Sequence, residues 1–205
     1  MCWWPFVEVL NSHGNCLDVR EMRAIPEELL GRLDARKAHV EFRFPFFRVK
    51  QAPVTEMSGV MDYEVVFEAE SDVDGNHDFI LTVIVNVATL CPCSKAISER
   101  GAHNQRGTVT YSVRFNESIW IEDLVELVEA SASCELYSLL KRPDEKAVTE
   151  HAYDNPVFVE DLVRNIAARS NAQENIRWYR VEAENHESIH NHNAYAVIEK
   201  TLSSE

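Results

Sequence analysis

No stretch of this sequence is long and apolar enough to cross a bilayer. The longest apolar run, Phe79 to Val85, is interrupted by Thr82, whereas a spanning helix needs about 20 such residues. Clusters of basic residues are also missing: 20 Lys and Arg face 34 Asp and Glu, for a net charge of −14 and a pI near 5.0. Nucleic acid and anionic membrane are therefore excluded as partners, while a phosphate-bearing small molecule can still be held by a few local cations. Met1 to Pro5 shows no cationic segment leading into an apolar one, so no export signal is read. Cysteine is scarce and unpaired in pattern. Of five, only Cys91 and Cys93 stand close together, and Cys2, Cys16 and Cys134 make no second pair for a closed zinc ribbon. An odd cysteine count without an export signal reads as reduced thiols in a cytoplasm, and the other three cysteines as ordinary thiols. A signature of disorder is lacking too, since 45% apolar residues suffice for a substantial core.

What is present centres on residues 90 to 106, LCPCSKAISERGAHNQR. Here Cys91 and Cys93 are followed by His103, twelve residues after the first thiol. Thiolate and imidazole together suit a borderline divalent metal, zinc, iron or manganese. With too few ligands for a closed tetrahedron, the expectation is an open site with room for water.

Around this loop the chain alternates between two periods. Phe6, Val7, Val9 and Leu10 predict a helix ending near Asn11-Ser12-His13-Gly14, and Pro26 opens a second with Leu29, Leu30 and Leu33 on one face. Val40, Phe42, Phe44 and Phe46 alternate with polar residues in a strand over Ala38 to Lys50, where Pro45 implies an edge or bulge. Tyr63, Val65, Phe67 and Ala69 mark a second strand, and Asp74-Gly75-Asn76 turns it into a third, Asp78 to Ala88, apolar on both faces. Val109, Tyr111, Val113 and Phe115 mark a fourth. Apolar residues from Ile121 to Leu140 then fall at helical spacing, about five turns, with Lys141-Arg142-Pro143-Asp144 as the stop. A further helix is expected from Asn155-Pro156, and two strands near Ile176–Ala183 and Ala194–Leu202. The pattern is α+β with antiparallel sheets, read as two tandem modules, residues 1–75 and 76–205.

Two further places gather groups without an obvious structural task. One is KRPDEKAVTEHAYDNPVFVED, with Glu145 and Glu160; the other is ENHESIHNHNAYA, with His186, His190 and His192. With the thiol loop, these segments closely resemble the type IB GTP cyclohydrolases. FVEVLN, FRFPFFRVKQAPV and MDYEV extend the likeness over nearly all the chain from Phe6 to Glu199. The resemblance implies a tunnelling fold of two tandem modules, a homotetramer with active sites at subunit interfaces, and hydrolysis of cyclic amidine C–N bonds. The reaction it implies turns GTP and water into 7,8-dihydroneopterin triphosphate and formate, the first step toward folate. Family members carry a further segment ahead of FVEVLN, so the first module is expected to lack its opening hairpin.

The same resemblance implies Cys91, His103 and Glu145 as metal ligands, Glu160 as the guanine anchor, and His190 as a general acid and base. Cys93 is expected beside the metal, assisting proton transfer or orienting substrate. Lys95, Arg106, Lys141 and Arg142 are the candidates for the triphosphate. His186 stands where the family usually has phenylalanine and receives no role. Two alternatives accompany this reading: a non-catalytic tunnelling-fold protein that binds a purine or pterin or merely assembles, and an archaeal-type enzyme that uses ferrous iron to make a cyclic phosphate of dihydroneopterin.

Overall fold

The computed structural model describes residues 4–13, 22 and 24–202. Its elements run α1 (Trp4–Ser12), α2 (Ala24–Leu33), β1 (Lys37–Gln51), β2 (Ser58–Asp72), β3 (His77–Leu90), α3 (Pro92–Ile97), β4 (Asn104–Phe115), α4 (Ile121–Glu129), α5 (Arg142–Asp154), α6 (Val159–Asn171), β5 (Ile176–Asn185) and β6 (Ala194–Thr201). The strands form one six-stranded antiparallel sheet in which chain order is spatial order. This is the expected α+β architecture of the tunnelling-fold type. β1 lies at one end of the sheet, where the missing N–H of Pro45 can be tolerated.

The chain divides into two compact units, Met1–Phe44 with Val65–Thr82, and Pro45–Glu64 with Val83–Glu205. In the first unit α1 and α2 bury Val9, Ile25 and Leu29. Arg32 bridges Glu8 at 2.9 Å and Glu28 at 2.5 Å, and His13 meets Glu28 at 3.1 Å. Phe44, Phe67 and Phe79, one from each strand, meet edge to face with centroids 5.1 and 5.6 Å apart, a geometry that adds to their burial. Gly14, Cys2 and Cys16 lie outside the described residues.

In the second unit β4, β5 and β6 pair in antiparallel register, from Gly107 opposite Asn185 and from Trp178 opposite Thr201. Their inward positions, Val109, Tyr111, Val113, Val181 and Ala183, are buried with Leu124, Val125 and Val128 of α4 and Leu162, Val163 and Ile166 of α6. The Tyr111 hydroxyl meets Ser170 Oγ at 2.6 Å, which answers the one polar atom this aromatic brings inside.

The helical reading of residues 121 to 158 needs correction. α4 ends at Glu129 and the helical spacing of Ala132, Leu136, Leu139 and Leu140 is not used. Instead Ala88 and Cys134 exchange backbone hydrogen bonds of 2.9 and 3.2 Å, and Ser133 Oγ accepts from the Leu90 amide at 3.0 Å. Asn155 Nδ2 donates to the carbonyls of Ala132 and Ser133, and Asn165 Nδ2 to that of Ser131. These partners replace the helical ladder one group at a time. Pro143, read as a stop, lies in the first turn of α5, where a proline loses nothing. Asn155 accordingly follows α5, and α6 starts only at Val159.

The same rearrangement buries a charged cluster. Lys50 Nζ lies 2.7 Å from Glu129 Oε1 and also binds Glu135 Oε2, with the Tyr137 ring centroid 4.7 Å away. Tyr63 donates to Glu129 at 2.9 Å and Tyr137 to Glu135 at 2.5 Å. Burial pushes the Glu129 carboxyl up despite Lys50 and Tyr63, whereas Lys50 and Tyr137 hold that of Glu135 down against its own burial. Burial and the neighbouring Glu135 push the Cys134 thiol up to about 11, so it stays a thiol, as its reading as an ordinary cysteine requires. Lys50 is only 10% exposed, and removing it strands two carboxylates. Lys50→Ala is expected to destabilise the fold by about 3–5 kcal/mol in urea unfolding. Arg48→Ala, at the more open pair with Glu126, should cost no more than about 1 kcal/mol. Equal effects would show that the Lys50 cluster is not a buried ion network.

Candidate active site

The thiol loop folds back on itself. Cys91 caps α3, its Sγ accepting from the Ser94 amide at 3.4 Å, and Pro92 follows in the first turn. The Ser94 hydroxyl donates to the Cys91 carbonyl at 3.1 Å and accepts from the His103 amide at 3.2 Å. The Cys91 amide donates to the His103 carbonyl at 3.1 Å. Gly101, at φ +84°, makes the reversal that brings His103 back. Cys91 is thus buried beside His103, while Cys93 stands exposed on α3.

His103 is oriented from behind. Its Nδ1 lies 3.0 Å from Gln105 Oε1, and Gln105 Nε2 faces Glu187 Oε1 at 3.4 Å. With the amide so turned, Gln105 Oε1 is the acceptor and His103 Nδ1–H the donor of this pair, which leaves Nε2 for another partner. The second Glu187 oxygen is 4.0 Å from Nδ1, and Ser188 Oγ approaches it at 3.4 Å. Both side chains are about one-tenth exposed. His190 meets His103 edge to face at 6.4 Å between centroids and stacks on His192 at 5.2 Å. His186 bonds instead to Asn193. Gln105, Glu187, Ser94 and Ser188 were not singled out in the sequence. Their signal is positional, because Gln105 and Glu187 continue the inward-facing parity of β4 and β5 past the last apolar residue.

The carboxylates enter from the helices. Glu160 lies in the first turn of α6, which begins just after Val157 donates to the Leu90 carbonyl at 3.1 Å, next to Cys91 in the chain. Glu145 lies in the first turn of α5, 55% exposed and 3.6 Å from Arg142. The far end of α5 is tied to α3, where Lys95 Nζ binds the Tyr153 carbonyl and sits 4.2 Å from the centroid of its ring. Tyr153 is eight positions beyond Glu145, about 12 Å along a helix. Among the described residues no three His, Cys, Asp or Glu side chains converge to hold a metal ion. Cys91 and His103, joined through their backbones, are donor types that suit such an ion, and Glu145 does not complete a set of three with them within this chain.

Asp144 fixes the start of α5. Wholly buried, it accepts from the amides of Val54 and Thr55, the Thr55 hydroxyl and the Lys141 amide, at 2.6 to 2.9 Å. It thereby holds Glu145, Lys141 and Arg142 against the β1–β2 loop. Arg142 is 96% exposed. The Arg106 carbonyl accepts from His186 at 2.9 Å, joining β4 to the histidine loop.

An antiparallel tunnelling-fold sheet with a thiol, an oriented imidazole and a carboxylate at one end defines an enzyme-like protein of that fold. Among solved structures, urate oxidase from Bacillus sp. TB-90 superposes with a TM-score of 0.58 at 7% identity, over 96% of this chain and 76% of that one. Its P287G mutant gives 0.60 at 6% identity, over 98% and 79%; these likenesses show the fold. Residues 5–196 match the family model described as Type I GTP cyclohydrolase folE2. The chain is 65% identical over 201 residues to the GTP cyclohydrolase FolE2 of Akkermansia muciniphila, spanning 97% of this chain and 76% of that protein. It is 54% identical over 195 residues to the one of Nitrosococcus oceani, spanning 95% and 73%. The chain belongs to the type I GTP cyclohydrolase FolE2 family.

Burial works against ionisation of Asp144, but its bonds from Thr55, Lys141 and Val54 prevail and hold the carboxyl well below the usual carboxylate range. A depressed pKa contributes stability that is fully present above the unfolded value, about pH 4, and is lost progressively as pH falls from there toward the much lower folded value. Asp144→Asn is therefore expected to lower the melting temperature at pH 7 and to converge on the parent below about pH 4. A gap that stays constant between pH 3 and 7 would remove the ionised acceptor from the account.

Proposed function

We propose that this chain converts GTP and water to 7,8-dihydroneopterin triphosphate and formate. The observation that carries the reading is the meeting of Cys91, a tautomer-fixed His103 and His190 in one corner, in a chain 53–65% identical to proteins named GTP cyclohydrolase FolE2. The reaction must add water at C8 of guanine, open the imidazole ring, hydrolyse the formyl group and rearrange the ribose.

Cys91 through Sγ and His103 through Nε2 would hold a divalent metal, manganese, zinc or iron; Glu145, the third donor the resemblance implies, does not complete the set within one chain and would come from another copy in the assembly. Such an ion lowers the pKa of bound water from about 16 toward about 7 and so supplies a nucleophile near neutral pH. Glu187 and Gln105 keep the His103 ring from rotating and its Nδ1 protonated. Glu160 recognises the base, because an ionised carboxylate accepts from both N1–H and the exocyclic amine of guanine, a pair adenine does not present. His190 exchanges protons with the opening ring, its approach to His103 placing it at the same corner. Cys93, exposed on α3, is free to orient substrate or pass a proton. Arg106, Lys141 and Arg142 take the triphosphate; Lys95 joins them only by leaving Tyr153.

The working form in this reading is a cytoplasmic homotetramer. Its support is that β1 and β6 end the sheet with edges that further copies can pair, and carry exposed apolar side chains, Phe47 and Val49, Tyr195 and Val197, that contact with those copies would cover.

The test is neopterin fluorescence, after oxidation and dephosphorylation of the product, from protein given GTP with manganese, zinc or ferrous iron under anaerobic conditions. Cys91→Ala is expected to lose both bound metal and turnover. Metal retained in that variant would transfer the ligand role to Cys93. Glu160→Gln should keep its metal and lose turnover about 10- to 100-fold, the worth of a charge-assisted hydrogen bond to the base. If it loses metal instead, anchor and ligand have been exchanged. Folded parent protein that is silent with every metal would overturn the reading.

A further inference from the structure

One step inward from the Cys91–His103 corner, the helix-facing side of the sheet carries Thr89 on β3, Gly107 on β4 and Asn185 on β5. Gly107 is the direct cross-strand partner of Asn185. A Cβ built on Gly107 would stand 2.6 Å from Asn185 Oδ1, 3.5 Å from Val87 Cγ2 and 3.6 Å from Thr89 Cγ2. Asn185 Oδ1 therefore takes the space a Cβ would fill, and the Thr89 methyl approaches the same point, so glycine is needed there for room. Thr89 is 0% and Asn185 1% exposed. Thr89 Oγ1 and both amide atoms of Asn185 have no hydrogen-bond partner among the described residues. On the side away from the corner the adjacent inward positions are apolar, Val87 on β3, Val109 on β4 and Ala183 on β5, and offer these groups no hydrogen-bond partner.

Groups of this kind buried unpaired are strongly destabilising, and proteins satisfy them with internal water. A nucleotide cannot reach atoms closed off from solvent, whereas water matches the demand: it accepts from the threonine hydroxyl and donates to Asn185 Oδ1. We propose that Thr89 and Asn185 bind one internal water molecule beside Gly107, which ties β3 to β5 across β4 next to the active site. Thr89 stands two residues before Cys91, Gly107 two after Gln105, and Asn185 two before Glu187. Within β4 that spacing puts Gln105 on the face of Gly107, a step of about 6.6 Å, while Cys91 and Glu187 follow just after the ends of β3 and β5. The water thus fixes the footing of Cys91, Gln105 and Glu187 at once, and makes Asn185 a positioning residue for His103 through Glu187 and Gln105. The positioning role rests on the cyclohydrolase reading; the water site does not.

A crystal structure of the full chain at atomic detail tests the site. The expected result is a water about 2.6–3.2 Å from both Thr89 Oγ1 and the Asn185 amide. Dry density there, or a protein group of a second copy bonded to Asn185, overturns the proposal. For the positioning role, Thr89→Val keeps shape and removes only the hydroxyl, and Asn185→Leu removes the amide. Each is expected to lower kcat for GTP about tenfold, the scale of a lost outer contact, with KM unchanged and native circular dichroism. If Asn185→Leu does not fold, Thr89→Val decides alone, and unchanged kcat in it overturns the role. A water present in a parent protein without GTP turnover would sink the cyclohydrolase reading and leave the water site standing; a dry site in an active enzyme would do the reverse.

Discussion

The last residues of β3 carry the hydrogen bonds on which the second unit depends. Ala88 pairs with Cys134, the Leu90 amide donates to Ser133, and the Leu90 carbonyl accepts from Val157. Two chain segments far apart in sequence are thereby fastened to the strand that delivers Cys91. One of them is pulled out of a helix it was otherwise patterned to continue. The other launches α6, whose first turn holds Glu160. Each bond exchanges a water contact for a protein contact of modest net worth, but together they satisfy the backbone of residues that would otherwise be buried unpaired.

The chemistry of the site follows from how its imidazole is held. A histidine without a fixed partner samples two tautomers and many ring orientations, and a fixed partner removes that freedom. The relay from Glu187 through Gln105 to His103 selects one tautomer and one orientation. Around it the protein buries charge only where charge is answered, as in the Lys50 cluster with Glu129 and Glu135 and the four bonds into Asp144. The Asp144 bonds keep Glu145 at the start of α5 although that carboxylate is itself exposed.

Strands were legible wherever the period of two was clean. β1 to β6 stand where Val40 to Phe46, Tyr63 to Ala69, Val109 to Phe115 and their counterparts alternate, because a sheet with one covered face imposes that alternation directly. The helices were legible only in part. From Ile121 to Leu140 the apolar spacing is compatible with one continuous helix, and nothing local reveals that Ser131, Ser133 and Cys134 have partners on β3 and α6. Pro143 was equally ambiguous, since a proline ends one helix as readily as it begins the next.

By itself the sequence determined the α+β class, the strand positions, and the loop that couples a thiol to an imidazole, since these rest on short-range periodicity and on residue types whose chemistry is fixed. Tertiary structure alone decided where α4 stops and α5 begins, that Gln105 and Glu187 stand behind His103, and that Thr89 and Asn185 lie buried beside Gly107. The first two depend on hydrogen bonds that reach across the fold, and the third on the register of β4 and β5. A side chain's partner across a sheet is set by register and packing, and neither is written in the residues on either side of it.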